Sequence, residues 1–407
     1  MEVCIEEMEG RYCRGTQAEI EDMLDFANMV FSIHYRPIDF AALLPKAYNA
    51  NRHHLLTHHL IKEGTKIRAL IDTYPVTMRL NTKNGRELKA CYVGTVSVHP
   101  NTQGKGYMTA LIKKAEEDAR NQGCALMILD GNRHRYQHYG FERAGVKYRF
   151  RIQIRNIRHC CDKMYSKEYM EFPAYCFEEI CEESPYIDYL YAQYQKRTMT
   201  ARTREDFLLC LQSNYAVTYA VLRNNNIAGY VNLSKEEDAV LEFEIDQMTE
   251  LPRVIYDLME GLDLGELAFA VGADETEKIE HLNKIYDFLD IAQSHQIKIL
   301  NYEKVLEFLL SWKQTYAVLA EADYIVGVQN ADWTEMKKYL ISVNKNEIVV
   351  SRTEHDPDVV FEELEFVRIL TTAGFFAEQQ KIDAGKVKNA PSNWFPLPCY
   401  LPDADAF

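Results

Sequence analysis

Apolar and polar positions along the chain predict an alternation of strands and helices. Between 16 and 33 (TQAEIEDMLDFANMVFSI), Ile20, Met23, Leu24, Ala27 and Val30 or Met29 fall at three- and four-residue spacing, the period of one helical face. A polar, His-rich stretch follows, and then a strand-like run, IRALIDTYPVTMRL (67–80). Lys83-Asn84-Gly85-Arg86 reads as a hairpin turn, since Asn-Gly accepts positive φ at both central positions. The next run, LKACYVGTVSVHP (88–100), is a strand stopped by Pro100. The pattern predicts a helix over 107–121 with Gly123 as its left-handed cap, then a short buried strand over 125–130. Strand, glycine loop, helix and strand form a βαβ unit.

A second α/β stretch, from about 165 to 295, repeats that order without obvious sequence identity. Strands are expected over 215–223 and 227–234 around the turn Asn224-Asn225-Asn226, and over 240–245. A helix ending near Gly261, a strand over 266–271 and a helix over 275–290 complete it. The last part has expected helices over 302–312 and 361–374, with strands over 323–329, 337–344 and 347–353 between them. The tail WFPLPCYLPDADAF holds Pro396, Pro398 and Pro402, which exclude a helix or a central strand. Trp394, Phe395, Leu397, Tyr400, Leu401 and Phe407 make it too apolar to hang free, so an extended segment packed on the body is expected.

Length and charge refine this picture. At 407 residues, two to four domains are expected, and 47% hydrophobic with 26% charged residues is ordinary for a globular protein. The net charge of −15 argues against a nucleic-acid partner, which needs clustered positive charge. The charge is uneven: residues 1–158 hold 24 Lys and Arg against 17 Asp and Glu, and residues 159–407 hold 22 against 44. No apolar run reaches 18 residues, so no membrane partner is expected. The opening MEVCIEEMEGRYCRG lacks an apolar leader core, and the ten cysteines are scattered, which fits a reducing cytoplasm with free thiols. His53-His54 and His58-His59 place His54 and His58 at helical i, i+4 spacing, but no third ligand follows, so no metal is expected.

The stretch that carries chemistry is Val96-Ser97-Val98-His99-Pro100-Asn101-Thr102-Gln103-Gly104-Lys105-Gly106-Tyr107-Met108, a strand entering a helix through a glycine loop. Free amides and the positive dipole end at a helix start favour an anion, and the glycines let backbone approach a phosphate. The loop is neither GxxxxGK[ST] nor GxGxxG. Some thirty residues on comes Tyr136-Gln137-His138-Tyr139-Gly140-Phe141. Together these resemble the GNAT (GCN5-related) N-acetyltransferases. Their [QR]-x-x-G-x-[GA] motif reads here as Gln103 to Met108, and their Tyr-x-x-x-Gly-Phe as Tyr136 to Phe141. Met108 departs from the usual Gly or Ala. With the chain length, the whole looks like the Eis-type (enhanced intracellular survival) acetyltransferases.

That resemblance implies an α/β (α+β) fold: tandem GNAT folds with mixed, helix-flanked sheets, then a sterol-carrier-protein-2-like domain. The implied domains are 1–158 (catalytic), 159–295 (degenerate, with DQMTELPRV in place of the cofactor loop) and 296–407 (sterol-carrier-like, with the tail). It implies acetyl-CoA as co-substrate, held by the backbone of Val96, Ser97 and Val98 and by the amides of Gln103, Gly104, Lys105, Gly106, Tyr107 and Met108. Tyr136 would protonate the leaving thiolate. The α-carboxylate of Phe407 would act as base, with front-domain Asp and Glu as alternatives, and Asp403 and Asp405 could attract a cationic amine. The implied acceptor is the primary amine of a small cationic molecule, aminoglycoside- or polyamine-like. Protein N-acetylation and a non-catalytic acyl-CoA or lipid sensor are the alternatives. A cytoplasmic homo-oligomer, a hexamer by family resemblance, is also implied.

Overall fold

The computed structural model describes residues 9–34, 36–49, 56–82, 85–197, 199–234, 236, 238–345, 347–372, 386–387 and 389–407. They form three mixed sheets. The first runs from edge to edge as Arg11–Arg14, Thr57–Glu63, Lys66–Arg79, Glu87–Val98, Leu126–Leu129, Gln296–Ile299 and Glu142–Arg143, with Met199–Thr200 added beside Lys66–Arg79. The second runs Phe288–Gln293, Val146–Gln153, Glu266–Gly272, Ala239–Ile245, Asn226–Ser234, Ala216–Arg223 and Cys176–Glu179. The third runs Ile348–Arg352, Met336–Val343, Ala322–Gln329 and Val359–Glu362.

Strand Glu87–Val98 shows how the parts are joined. Successive side chains on a strand point to opposite faces. Leu88, Ala90 and Tyr92 therefore pack toward helix Tyr302–Gln314 and the third sheet, in one continuous core. Cys91 and Val93 pack on the other face against Leu111, Ala115 and Met127, under helix Tyr107–Asn121. Burial on both faces explains why the strand reads as a nearly unbroken apolar run.

The expected divisions at 158/159 and 295/296 are crossed in space by two strands. Val146–Gln153 pairs with Glu266–Gly272 and Phe288–Gln293 in the second sheet. Gln296–Ile299 returns to the first sheet and pairs with Leu126–Leu129.

Three local expectations change. The helix expected over 275–290 is only Thr276–Leu282, and Phe288–Gln293 is a strand, because the free edge of Val146–Gln153 takes up its backbone. The helix expected from 361 begins at Glu363, since Val359–Glu362 pairs in parallel with Ala322–Gln329. The His-rich stretch holds strand Thr57–Glu63, so His58 and His59 point to opposite faces, His58 to Asp72 and His59 to Asp118. His53, His54, Lys83 and Asn84 lie outside the described residues. The Asn224-Asn225 turn has positive φ at both residues, 51° and 61°.

The proline-rich tail is packed across all three sheets, as expected. Trp394 is fully buried and donates to the Ala320 carbonyl at 2.9 Å. Leu397 N–H reaches the Leu370 carbonyl at 2.7 Å, and Tyr400 OH reaches that of Ala270 at 3.3 Å. Lys147 meets Asp403 at 3.3 Å, and buried Lys46 donates to the Ala404 carbonyl at 2.9 Å. Buried Arg202 then binds Asp405 at 2.8 Å and Glu242 through two nitrogens at 2.7 and 3.2 Å. Burial alone pushes the Asp405 carboxyl up, but Arg202 more than offsets this, with help from Lys46 and Thr200, and leaves it below its usual range.

Replacing Arg202 by Met leaves two buried carboxylates without their nearest cation. A loss of about 3–5 kcal/mol is expected, read as a lower denaturation midpoint for the whole chain. Asp405 adds a pH signature. Its stabilising contribution is fully present above the unfolded carboxyl value of about 3.9 and is lost as pH falls through the lower folded value. Arg202→Met should flatten that acid limb; an unchanged limb and midpoint would show that the pair does not hold the tail.

Candidate functional site

The site begins where a pairing stops. Glu87–Val98 and Leu126–Leu129 run parallel, but only Ala90, Cys91 and Tyr92 pair with Leu126, Met127 and Ile128. From Val93 onward the strand keeps its antiparallel neighbour Lys66–Arg79 on one edge, while no strand pairs with its other edge among the described residues. The two parallel strands diverge, leaving a cleft lined by unpaired backbone. Such an edge is a template for an extended chain with amide groups of its own.

A bulge sits on the open stretch. Leu70 pairs with Ser97 and Asp72 with Gly94, so Thr95 and Val96 together oppose Ile71. Val96 and Val98 are half-buried, whereas Ser97 is buried and donates to the Thr95 carbonyl at 2.8 Å.

The strand leads into the glycine loop. Gln103, Gly104 and Lys105 are exposed. Gly104 and Gly106 have φ of 82° and 79°, the left-handed region that favours glycine. A Cβ on Gly104 would meet nothing within 4 Å, so the space over the loop is open. The first helical bond runs from Ala110 N–H to the Gly106 carbonyl, which leaves the amides of Tyr107, Met108 and Thr109 at the helix start. Met108 packs against the cluster that holds Leu111, Met127 and Tyr136, so its bulk points inward and its amide stays on the loop side. This accounts for a large residue at a position where the family uses Gly or Ala.

Lys105 is exposed but paired. Its ammonium binds Glu9 at 2.5 Å and Glu63 at 3.0 Å. Glu63 also accepts from Tyr107 OH at 2.6 Å and Arg68 at 3.0 Å. The Tyr107 bond, then that of Lys105, brings the Glu63 carboxyl down to about 2. The Lys105 charge is therefore engaged by carboxylates, and the tyrosine ring is buried, so Tyr107 offers the loop only its amide.

Tyr136 stands on the far wall of the cleft, on helix Arg133–Gln137, whose N-cap Asn132 accepts from the Arg135 amide. Its ring is 6% exposed, lies edge-on to Phe141 at 6.3 Å, and shares one apolar cluster with Val96 and Val98. A Cβ on Gly131 would lie 2.5 Å from the ring, so only glycine lets the strand end pass so close. Arg133 and Gln137 clamp the helix onto buried Glu142 at 2.6 to 2.8 Å, an anchor that no motif in the sequence advertises.

Phe407 arrives from the opposite side. Its ring lies between Tyr48 (5.8 Å) and Tyr74 (5.5 Å), against the open strand. A Cβ on Gly94 would lie 2.6 Å from the Phe407 ring and 3.3 Å from its carboxyl carbon. The tail and the open strand thus meet at backbone distance.

Ala406, the neighbour of Phe407, lines a cavity of about 270 Å³ between the first sheet, the second sheet and the tail. Asp130, Glu236 and Asp403 line it together with Arg36, Arg143 and Lys147. His295 forms one wall, with Asp130 at 2.6 Å on Nδ1 and the Leu401 carbonyl at 3.1 Å on Nε2. Acceptors at both ring nitrogens require a doubly protonated ring. Burial pushes the Asp130 carboxyl up and the His295 imidazole down, but their contact reverses both, leaving Asp130 below and His295 above its usual range. Asp405 lies outside the cavity, taken by Arg202, and so cannot receive an amine.

The second sheet repeats the divergence: Ala239–Ile245 and Glu266–Gly272 pair only at Ala239 and Val240. There, however, Lys278 donates to the Phe243 carbonyl at 2.8 Å and to Glu244 and Glu275 at 2.9 and 2.8 Å. A lysine and its carboxylates stand where the first sheet leaves backbone open.

Residues 11–144 match the acetyltransferase (GNAT) domain family. No curated protein matches the sequence. A GCN5-related N-acetyltransferase from Kribbella flavida superimposes with a TM-score of 0.66 at 12% identity, over 98% of this chain and 100% of that one. A protein of unknown function from Enterococcus faecalis, described as a probable N-acyltransferase, gives 0.66 at 12% identity over the same shares. Eis1 from Mycobacterium abscessus gives 0.64 at 15% identity, again over 98% and 100%. At these identities the structural likeness is one of fold. The family match covers the segment that carries the open strand, the glycine loop and Tyr136, so residues 11–144 form a GNAT acetyltransferase domain, and the chain as a whole has a three-sheet fold like that of Eis1 over nearly its full length.

Proposed function

We propose that the protein transfers an acetyl group from acetyl-CoA to the primary amine of a small molecule bound in the 270 Å³ cavity. The observation that carries this is the unpaired strand edge after Tyr92, ending in a glycine loop at a helix start. Acetyl-CoA supplies an activated acetyl thioester. The backbone of Val96, Ser97 and Val98 binds its amide-bearing arm as an added strand. The loop from Gln103 to Met108 receives the pyrophosphate on its amides, with Lys105 contributing little because Glu9 and Glu63 hold it.

Each residue at the centre has one task. Asp130, held anionic beside His295, suits attraction of an ammonium group better than removal of its proton. The Phe407 carboxyl, set against Gly94, takes that proton, and the freed nitrogen attacks the thioester carbonyl. As the carbon–sulfur bond breaks, Tyr136 gives its phenolic proton to the departing sulfur, and the second proton, shed by the acylated nitrogen, restores the phenol. Arg36, Arg143 and Lys147 pair with the cavity's three carboxylates, so an acceptor ammonium competes with built-in cations. The second divergence takes no part, because Lys278 occupies it.

Thiol release from acetyl-CoA across a panel of amines tests the reading. Saturable release with a small primary amine is expected. Binding of CoA without release on any amine or peptide would replace the enzyme with an acyl-CoA-binding protein, and release with peptides alone would change the acceptor class.

Two variants separate the roles. Tyr136→Phe should lower kcat by about 10²-fold with little change in KM for acetyl-CoA; full turnover would remove Tyr136 as the acid. Gly94→Val should push Phe407 off the strand, and deleting Phe407 should have the same consequence. Both should lower turnover while thermal stability stays near that of the parent, and unchanged kcat in the deletion would exclude the carboxyl as base.

A further inference from the structure

Thr95 has φ of 47°. A β-branched residue there is strained, so something must hold it. Its hydroxyl donates to Asp72 Oδ2 at 2.6 Å and lies 3.0 Å from the Tyr48 oxygen. Asp72 also accepts from Tyr48 OH at 2.6 Å and meets His58 Nδ1 at 2.6 Å. All four side chains are more than nine-tenths buried. Nε2 of His58 has no hydrogen-bond partner among the described residues, and the ring sits against Met23, Leu24 and Ala27 of helix Ile20–His34. A carboxylate this enclosed, gathering three donors from three different segments, is costly to build unless its position matters. The same Tyr48 stacks on Phe407, and Lys46, two residues earlier, holds the tail at Ala404.

Resting on the reading of the open strand as the acyl-CoA site, we infer that Asp72 is a positioning residue for acetyl transfer. With His58 and Tyr48 it pins Thr95 in the left-handed conformation that maintains the bulge. The bulge sets the rotation of the strand beyond it, and so the direction in which Val96 and Val98 present their backbone groups. Without the pin Thr95 relaxes to negative φ, the bulge dissolves, and the register slips by one residue, which turns every later backbone and side-chain group to the other side. Glycine at 95 would need no pin, because it adopts this φ without strain.

Full-length variants test this, with CoA binding followed by calorimetry and with kcat and KM for acetyl-CoA. Thr95→Val keeps the shape and removes the hydroxyl. Asp72→Asn keeps the volume and removes the charge. Each should weaken CoA binding and raise KM by about tenfold, with a smaller change in kcat. Adding Thr95→Gly to Asp72→Asn should recover most of the lost affinity, which no general loss of packing would do. If Asp72→Asn does not fold, Thr95→Val against Thr95→Gly gives the same comparison: weak binding in the first and near-parent binding in the second is expected, and equal affinities overturn the proposal. Parent-like CoA affinity in folded Thr95→Val, or no recovery by Thr95→Gly, overturns the pin alone. A parent protein that does not bind CoA overturns the acyl-CoA reading itself, and the pin's role in transfer with it.

Discussion

A parallel strand pairing that ends after three residue pairs governs this molecule. Backbone N–H and C=O groups in a buried sheet need partners. The divergence of Glu87–Val98 from Leu126–Leu129 leaves a row of them without a strand, facing a cleft. One end of the cleft is the glycine loop, one wall carries Tyr136, and the tail brings Phe407 onto the strand at Gly94. The second sheet shows the alternative outcome: a similar divergence, filled by Lys278 and its carboxylates, is a structural joint.

The tail ties the sheets to this cleft. Its hydrogen bonds begin in the third part of the chain, at Ala320 and Leu370, reach the second at Ala270, and end at Lys46 of the first and Arg202 of the second. A local site thereby depends on distant packing. The buried ion pair at Arg202 is weak evidence of net stability, because desolvation offsets attraction. Its use here is placement, since it fixes the last turn of the tail two residues before Phe407.

The sequence was most legible where local rules decide. The helix over 107–121 has the expected bounds because apolar period, glycine start and Gly123 stop all agree. The asparagine turn at 224–225 and the packed tail followed from φ preferences and apolar content. It was least legible where a distant edge decides. Nothing within Phe288–Gln293 or Val359–Glu362 tells the chain to be strand; the neighbours Val146–Gln153 and Ala322–Gln329 do. The exchange of Val146–Gln153 and Gln296–Ile299 between sheets is hidden for the same reason. At the site, the loop and Tyr136 were visible as motifs. The Asp72–His58–Tyr48–Thr95 cluster was not, because its members are spread over residues 48–95 and carry no spacing signal. His58 looked instead like half of a helical histidine pair.

The central claim is that the unpaired edge beyond Tyr92 is where acyl-CoA binds. A crystal structure of the protein with CoA tests it most directly. The pantetheine arm is expected in the cleft between Glu87–Val98 and Leu126–Leu129, hydrogen-bonded to the backbone of Val96 and Val98, with the pyrophosphate on the amides from Gln103 to Met108. CoA bound elsewhere, with this edge left unpaired or closed by the protein's own chain, would contradict it.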